Sequence, residues 1–380
     1  MRRRPFRLLM TLDAVGGVWR YATDLGRGLR AAGVEVGFLG FGPPPDARRA
    51  AEARAIGELD WAEAPLDWTV AHPEALAAVR GIVAAAARGV GADLLHVNLP
   101  SQAARLEAPC PIVAVSHSCL PTWFRSVRST PPPEGWGWHL ELNARGMAAA
   151  DVVITPSSAQ AELLRRCYGP VPSLRVIPNG SDAVLPKSAR REAVVAVGRW
   201  WDEGKNGAAL DAAAARIAAP VRMIGATRSP SGDELRLRHA VAVGELSRAE
   251  TLAEVAGAAA LVAPSLYEPF GLAVLEAARG ATPLVLADIP TFRELWEDAA
   301  LFFPPRDPGA LAAAVERLRA DPALRAELGE AASGRAGAYT LARQTAAMLA
   351  TYAELSPAAE RFVSRRRDAE PAAAEALVAS

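Results

Sequence analysis

The feature that most constrains this chain is a recurring order: a short apolar run, then a stretch with helical spacing of apolar residues, then another apolar run. Parallel strands need long crossovers, usually helical, so this order reads as a parallel β-sheet covered by helices. Residues 6–12 are a first buried strand. Gly16 and Gly17 turn the chain into a helix over 18–32, where Tyr21, Leu25 and Leu29 share one face and Gly33 is the stop signal. Further strands are expected at 34–40, 93–97, 112–116, 152–155 and 174–177, with helices at 73–88 and 140–149. Residues 118–137 break the rhythm. They are rich in Pro, Arg and Trp and read as a long, irregular, functional loop.

Pro178-Asn179-Gly180 marks a turn, and the polar stretch to Arg191 reads as a linker. The same order then restarts, with strands expected at 193–197, 221–224, 261–263 and 283–287 and mostly helix after 311. A length of 380 residues suits two cores better than one. The expected organisation is a first domain at 1–184, a second at 185–354, and a helical segment at 355–380 that packs back on the first.

Charge narrows the function. With 42 basic and 42 acidic residues the chain has no net charge and nothing that advertises nucleic-acid binding. No run reaches the length of a membrane span. The basic residues within 2–7 are compatible with peripheral membrane contact. Three cysteines, Cys110, Cys119 and Cys167, lack metal-ligand spacing and favour a reducing, cytoplasmic compartment.

The strongest chemical signal is the stretch 264–276, Pro-Ser-Leu-Tyr-Glu-Pro-Phe-Gly-Leu-Ala-Val-Leu-Glu, which sets Glu268 and Glu276 around a helix start. Pro269 suits the first helical position, and the amides of Phe270, Gly271 and Leu272 then lie free at the positive end of the helix dipole. Gly271 permits close approach of a ligand. Glu276, about two turns on, can face the same cleft and accept from paired hydroxyls. Either carboxylate alone reads equally well as a solvated helix face.

This segment closely resembles the Glu-x7-Glu signature of retaining GT-B glycosyltransferases, specifically glycosyltransferase family 4 (group 1). Other pieces match in order: Gly16-Gly17-Val18, His117 after a mid-domain strand, Pro178-Asn179-Gly180, Val197-Gly198-Arg199, and Glu276 through Gly280. The resemblance implies a GT-B fold: two Rossmann-like α/β domains facing a cleft, with a C-terminal helix crossing back. It implies transfer of a hexose, with retained configuration, from a nucleotide diphosphate sugar to a sugar, lipid-linked or small-molecule hydroxyl. By resemblance, Glu268 contacts the donor sugar, Glu276 the ribose, Gly17 the donor phosphates, and His117 the reacting sugar.

Arg199 and Lys205 follow a strand end, where open α/β sheets bind ligands, and can meet the charge of a departing diphosphate. Their spacing is one residue longer than the family's commonest. No Asp-x-Asp and no Walker A sequence is present, so neither a metal nor another cofactor is expected beyond the nucleotide sugar. Trp123, Arg125 and Trp136 lie in the irregular loop, where aromatic faces suit sugar rings and Arg a phosphate, and are the acceptor candidates. Packing of the loop explains the tryptophans equally well. Two alternatives stand beside transfer: a nucleotide-sugar epimerase or hydrolase on the same fold, and a non-catalytic sugar-nucleotide-binding protein. The base, the sugar, the acceptor and the oligomeric state are not legible.

Overall fold

A computed structural model describes residues 4–188, 191–229 and 232–365. Its first sheet holds β1 (Arg7–Asp13), β2 (Glu35–Phe41), β3 (Glu58–Trp61), β4 (Leu94–Val97), β5 (Ile112–Val115), β6 (Val152–Thr155) and β7 (Leu174–Val176). Its second holds β8 (Val194–Val197), β9 (Val221–Ile224), β10 (Val241–Gly244), β11 (Ala260–Ala263), β12 (Leu284–Ala287) and β13 (Leu301–Phe303). The spatial orders are β3-β2-β1-β4-β5-β6-β7 and β10-β9-β8-β11-β12-β13. All pairings between these strands are parallel.

Both sheets are thus doubly wound α/β sheets. In each, the order reverses beside the first strand, between β1 and β4 and between β8 and β11, and loops that leave strand ends there diverge to form a crevice. The central strands β4, β5, β6 and β12 are buried along their whole length, which requires helices on both faces and explains why they are apolar but for His96 and Thr155.

Three strands were not expected from the sequence: β3, β10 and β13. Each lies at a sheet edge and is partly exposed; β3 is broken by Glu58 and Asp60, while β10 and β13 are apolar but only four and three residues long. The irregular loop expected at 118–137 also needs correction, because it contains a helix, Leu120–Val127, with Pro121 in its first turn and Phe124 and Val127 buried. Pro and Trp density concealed the helical spacing.

The return to the first lobe begins earlier than 355. Helix Leu341–Leu355 packs Met348, Leu349 and Tyr352 into the first core, against helix Gly17–Ala31. The remainder of the expected 355–380 segment is described only to 365, where Ala359 is buried in the same core.

Candidate active site

The two switch points face one another, and the loops at their strand ends carry most of the sequence candidates. After β8 the chain forms a 3-10 turn, Glu203–Lys205, capped by Asp202, whose side chain accepts from the Gly204 amide. That turn uses up the long spacing from Arg199 and brings Lys205 Nζ to 2.5 Å from Glu268 Oε2. Both side chains are largely shielded, 20% and 17% exposed. The backbone holds this pair: Leu266 N and Tyr267 N both donate to the Gly204 carbonyl, at 2.9 and 3.3 Å. Asn206 ties the same turn to the loops after β11 and β13 through the carbonyls of Pro264 and Pro305.

Arg199 turns toward the first lobe. A methyl group added to Gly16 would come within 2.9 Å of its Nη1, so the glycine of the first βα turn and the cation after β8 are neighbours. Its guanidinium also pairs with Asp202 at 3.4 Å and lies over the Trp201 ring. Asp13, buried at the end of β1, is pushed up by burial, while a bond from the Val15 amide and the Arg199 charge pull the other way. Gly17 has open space around it, so Gly16 is the member of the pair that touches Arg199.

Helix Leu272–Arg279 starts later than expected. Pro269 lies outside it, and Gly271 is its N-cap at φ 92°, a left-handed conformation that glycine adopts without strain. No side chain caps the helix, so its first amides point outward as an anion site requires. Glu276 stands on this helix with its carboxylate 13% exposed and held by Arg248.

His117 follows β5 and sits edge-on to Tyr21. Its Nε2 lies 2.9 Å from Asn98 Oδ1, while the Asn98 amide nitrogen donates to the Thr11 carbonyl at 2.6 Å. A carbonyl can only accept, so the amide orientation is fixed and His117 must donate from Nε2. Its Nδ1 is left as the bare, proton-accepting nitrogen. Burial, with His96 nearby, pushes His117 down to about 3, and burial holds His96, bonded to Tyr21 and Tyr352, equally low. His117 is therefore neutral at physiological pH.

A stability consequence follows with a definite sign. The unfolded chain takes up these protons near pH 6.5 and the folded one only near pH 3. Stability should fall as pH drops through that window, by up to about 1.4 kcal/mol per pH unit for each histidine. Urea midpoints at pH 7, 6 and 5 check this, and His96→Gln should flatten the slope.

The acceptor candidates do not converge. Trp123 Nε1 donates to Asp202 Oδ1 at 2.9 Å and so joins the lobes. Trp136 packs edge-on to Phe124 and beside His139. Arg125 is exposed and lines a cavity of about 760 Å³ that also includes Arg166, Arg306 and Glu268. Other ties between the lobes run from Thr122 to Tyr267 and from Ser157 to the Pro269 carbonyl. Asn98, Tyr21, Asp24 and Arg248 escaped the sequence reading. Asn98 had a faint signal, a polar residue directly after a buried strand; Arg248 had none.

The family models for Glycosyltransferase Family 4 and for Glycosyl transferases group 1 match residues 15–184 and 233–335. Over 197 residues the chain is 34% identical to the glycogen synthase of Mycobacterium tuberculosis, covering 46% of this chain and 47% of that one. It thus spans about half the length of the first curated relatives it matches. It is 28% identical over 292 residues to the alpha-maltose-1-phosphate synthase of Mycolicibacterium smegmatis, covering 66% of this chain and 75% of the relative. Sucrose-phosphate synthase from Thermosynechococcus elongatus superposes with a TM-score of 0.78 at 23% identity, over 92% of this chain and 99% of that one. Anabaena HepE in complex with UDP and glucose gives 0.73 at 18% identity, over 92% and 100%. Both likenesses concern the fold.

Proposed function

Because the chain belongs to the glycosyltransferases of family 4 and group 1, with the GT-B fold, we propose that it moves a hexose from a nucleotide diphosphate sugar to an acceptor hydroxyl, with retained configuration and without a metal. The observation that carries this reading is the meeting of Lys205 and Glu268 on the turn whose capping residue Asp202 pairs with Arg199, while Arg199 itself lies against Gly16 of the first lobe.

Breaking the glycosidic bond leaves negative charge on the diphosphate and positive charge on the sugar. Arg199, Lys205 and the uncapped start of helix Leu272–Arg279 supply fixed positive potential for the first, the task a metal would otherwise perform. Glu268 supplies a carboxylate beside the second. Glu276 offers Oε2, which accepts no hydrogen bond among the described residues, to ribose hydroxyls. The bare Nδ1 of neutral His117 can accept a hydrogen bond from a sugar hydroxyl and so orient it, its low basicity keeping it an acceptor. The Anabaena neighbours were solved with UDP, glucose and UDP-glucose, which supports a nucleoside diphosphate hexose as donor class.

Among the described residues no helix is long and apolar enough to cross a membrane. A cytoplasmic setting belongs to the same proposal, supported by three free thiols.

Thermal-shift screening of nucleoside diphosphates and their sugars in EDTA tests donor class and metal independence together. One base should stabilise selectively, by about 2.7 kcal/mol at a hundredfold excess over Kd. Turnover of the donor without any acceptor, at the full rate, would favour the hydrolase or epimerase reading instead.

A further inference from the structure

We infer that Arg248 is a positioning residue that couples the nucleotide end of the donor pocket to the opposite lobe, holding Glu276 with one edge of its guanidinium and Asp24 with the other. This rests on the glycosyltransferase reading above, in which Glu276 receives the ribose.

The geometry uses the whole fork. Nε and Nη2 lie 3.2 and 2.9 Å from Glu276 Oε1. Nη1 lies 3.1 Å from Asp24 Oδ1 and Nη2 3.3 Å from Asp24 Oδ2. Both bonds to Glu276 thus fall on one oxygen, which fixes the carboxylate while leaving Oε2 for a ligand. Asp24 stands on helix Gly17–Ala31 in the first lobe and Glu276 on helix Leu272–Arg279 in the second. Arg248 begins helix Arg248–Ala256, whose start is fixed by the reciprocal cap between Ser247 and Glu250. All three side chains are shielded, at 3%, 13% and 21% exposed, where ion pairs are only weakly screened.

The two ends of the bridge are unequal. Asp24 also meets Arg20, itself paired with Glu52, and Arg27. Among the described residues Glu276 has an ion pair with Arg248 alone. Burial pushes the Glu276 carboxyl up, and Arg248 is the principal charge holding it down, with Arg20 adding to it. Removing the guanidinium therefore leaves Asp24 compensated and Glu276 exposed to the cost of an unpaired buried charge. A lysine at 248 offers one compact ammonium and cannot present two edges to two carboxylates. Burial works against the Arg248 charge, and Asp24 and Glu276, with a smaller contribution from Asp182, more than offset it and push the guanidinium up.

The test is calorimetric titration of the full chain with UDP, GDP and ADP, followed by steady-state rates with the matching sugar. For the nucleotide that binds wild type most tightly, R248Q and R248K should both weaken Kd by about 10-fold or more, with KM rising likewise and kcat within about 3-fold. D24N should weaken it by about 3-fold and add nothing in the R248Q background, since both act through one guanidinium. An unchanged unfolding midpoint in R248K shows that the loss is not one of folding. Wild-type affinity in R248K, or a D24N effect that is absent or additive, overturns the inference alone. A wild type that binds none of the three overturns the donor reading and this inference with it.

Discussion

Lys205→Met is expected to lower kcat for sugar transfer by about 10²- to 10³-fold, the cost of removing one preorganised donor from a developing anion. The expected loss lies in kcat because the diphosphate gains charge as the glycosidic bond breaks, so the ammonium is worth more in the transition state than in the bound donor. Its position is well determined. The 3-10 turn Glu203–Lys205 is capped by Asp202, bonded through the Gly204 carbonyl to the Glu268 loop, and anchored by Asn206. Methionine matches the length of the stem and removes only the charge. The half-buried carboxylate of Glu268 then loses its partner, at a stability cost of about 1–2 kcal/mol, below that of a fully buried pair because of partial exposure. Arg199→Met should produce a loss of similar size, since the guanidinium sits against Gly16 where the two lobes approach. Single-turnover rates at saturating donor check both variants. Rates within about 3-fold of wild type in both would remove these cations from the transition state.

Much of the architecture could be read from the sequence because parallel sheets advertise themselves. Strands β4, β5, β6, β9, β11 and β12 sit inside their sheets, and their apolar runs mark them within one residue of where they lie. The strands that escaped, β3, β10 and β13, are edges that are either interrupted by charge, as β3 is by Glu58 and Asp60, or very short apolar runs, as β10 and β13 are. The site divided along a similar line. Residues singled out by local pattern were legible: Gly271 as a glycine beside a helix start, Glu276 by helical spacing, and Lys205 and Arg199 by proximity to a strand end. Residues whose meaning arises from contact with the other lobe were not. Asp24 is an unremarked polar position on an amphipathic helix, Arg248 an ordinary first-turn residue, and only the fold places them at one guanidinium. Trp123 shows the converse. Its composition suggested a sugar platform, while its indole nitrogen is spent on Asp202 across the cleft.

Glu268→Gln tests the other half of the central pair, and the expected loss in kcat is again about 10²- to 10³-fold. The side chain is held from several directions: the Leu266 and Tyr267 amides bind Gly204, the Tyr267 hydroxyl meets Thr122 and Gln160, and the left-handed Gly271 turns the chain into the helix behind it. Glutamine preserves shape and removes charge, so a large loss assigns the effect to the carboxylate itself. If Glu268 served only as counter-ion to Lys205, its replacement would cost nothing further once the ammonium is gone, and the double variant Glu268→Gln, Lys205→Met would match Lys205→Met alone. If Glu268 contacts the donor sugar while Lys205 meets the diphosphate, two separate interactions are lost and the double variant is slower than either single one. Glu268→Asp sharpens the distinction, since a carboxylate drawn back by about one carbon–carbon bond, roughly 1.5 Å, loses the sugar even though its charge remains. Affinity for a nucleoside diphosphate without sugar should stay within about 3-fold of wild type in the glutamine variant, because Glu276 and the start of helix Leu272–Arg279 remain to hold it. Rapid transfer by both Gln and Asp variants would dissociate Glu268 from the reacting sugar, and the meeting with Lys205 would then be an ion pair that stiffens the cleft.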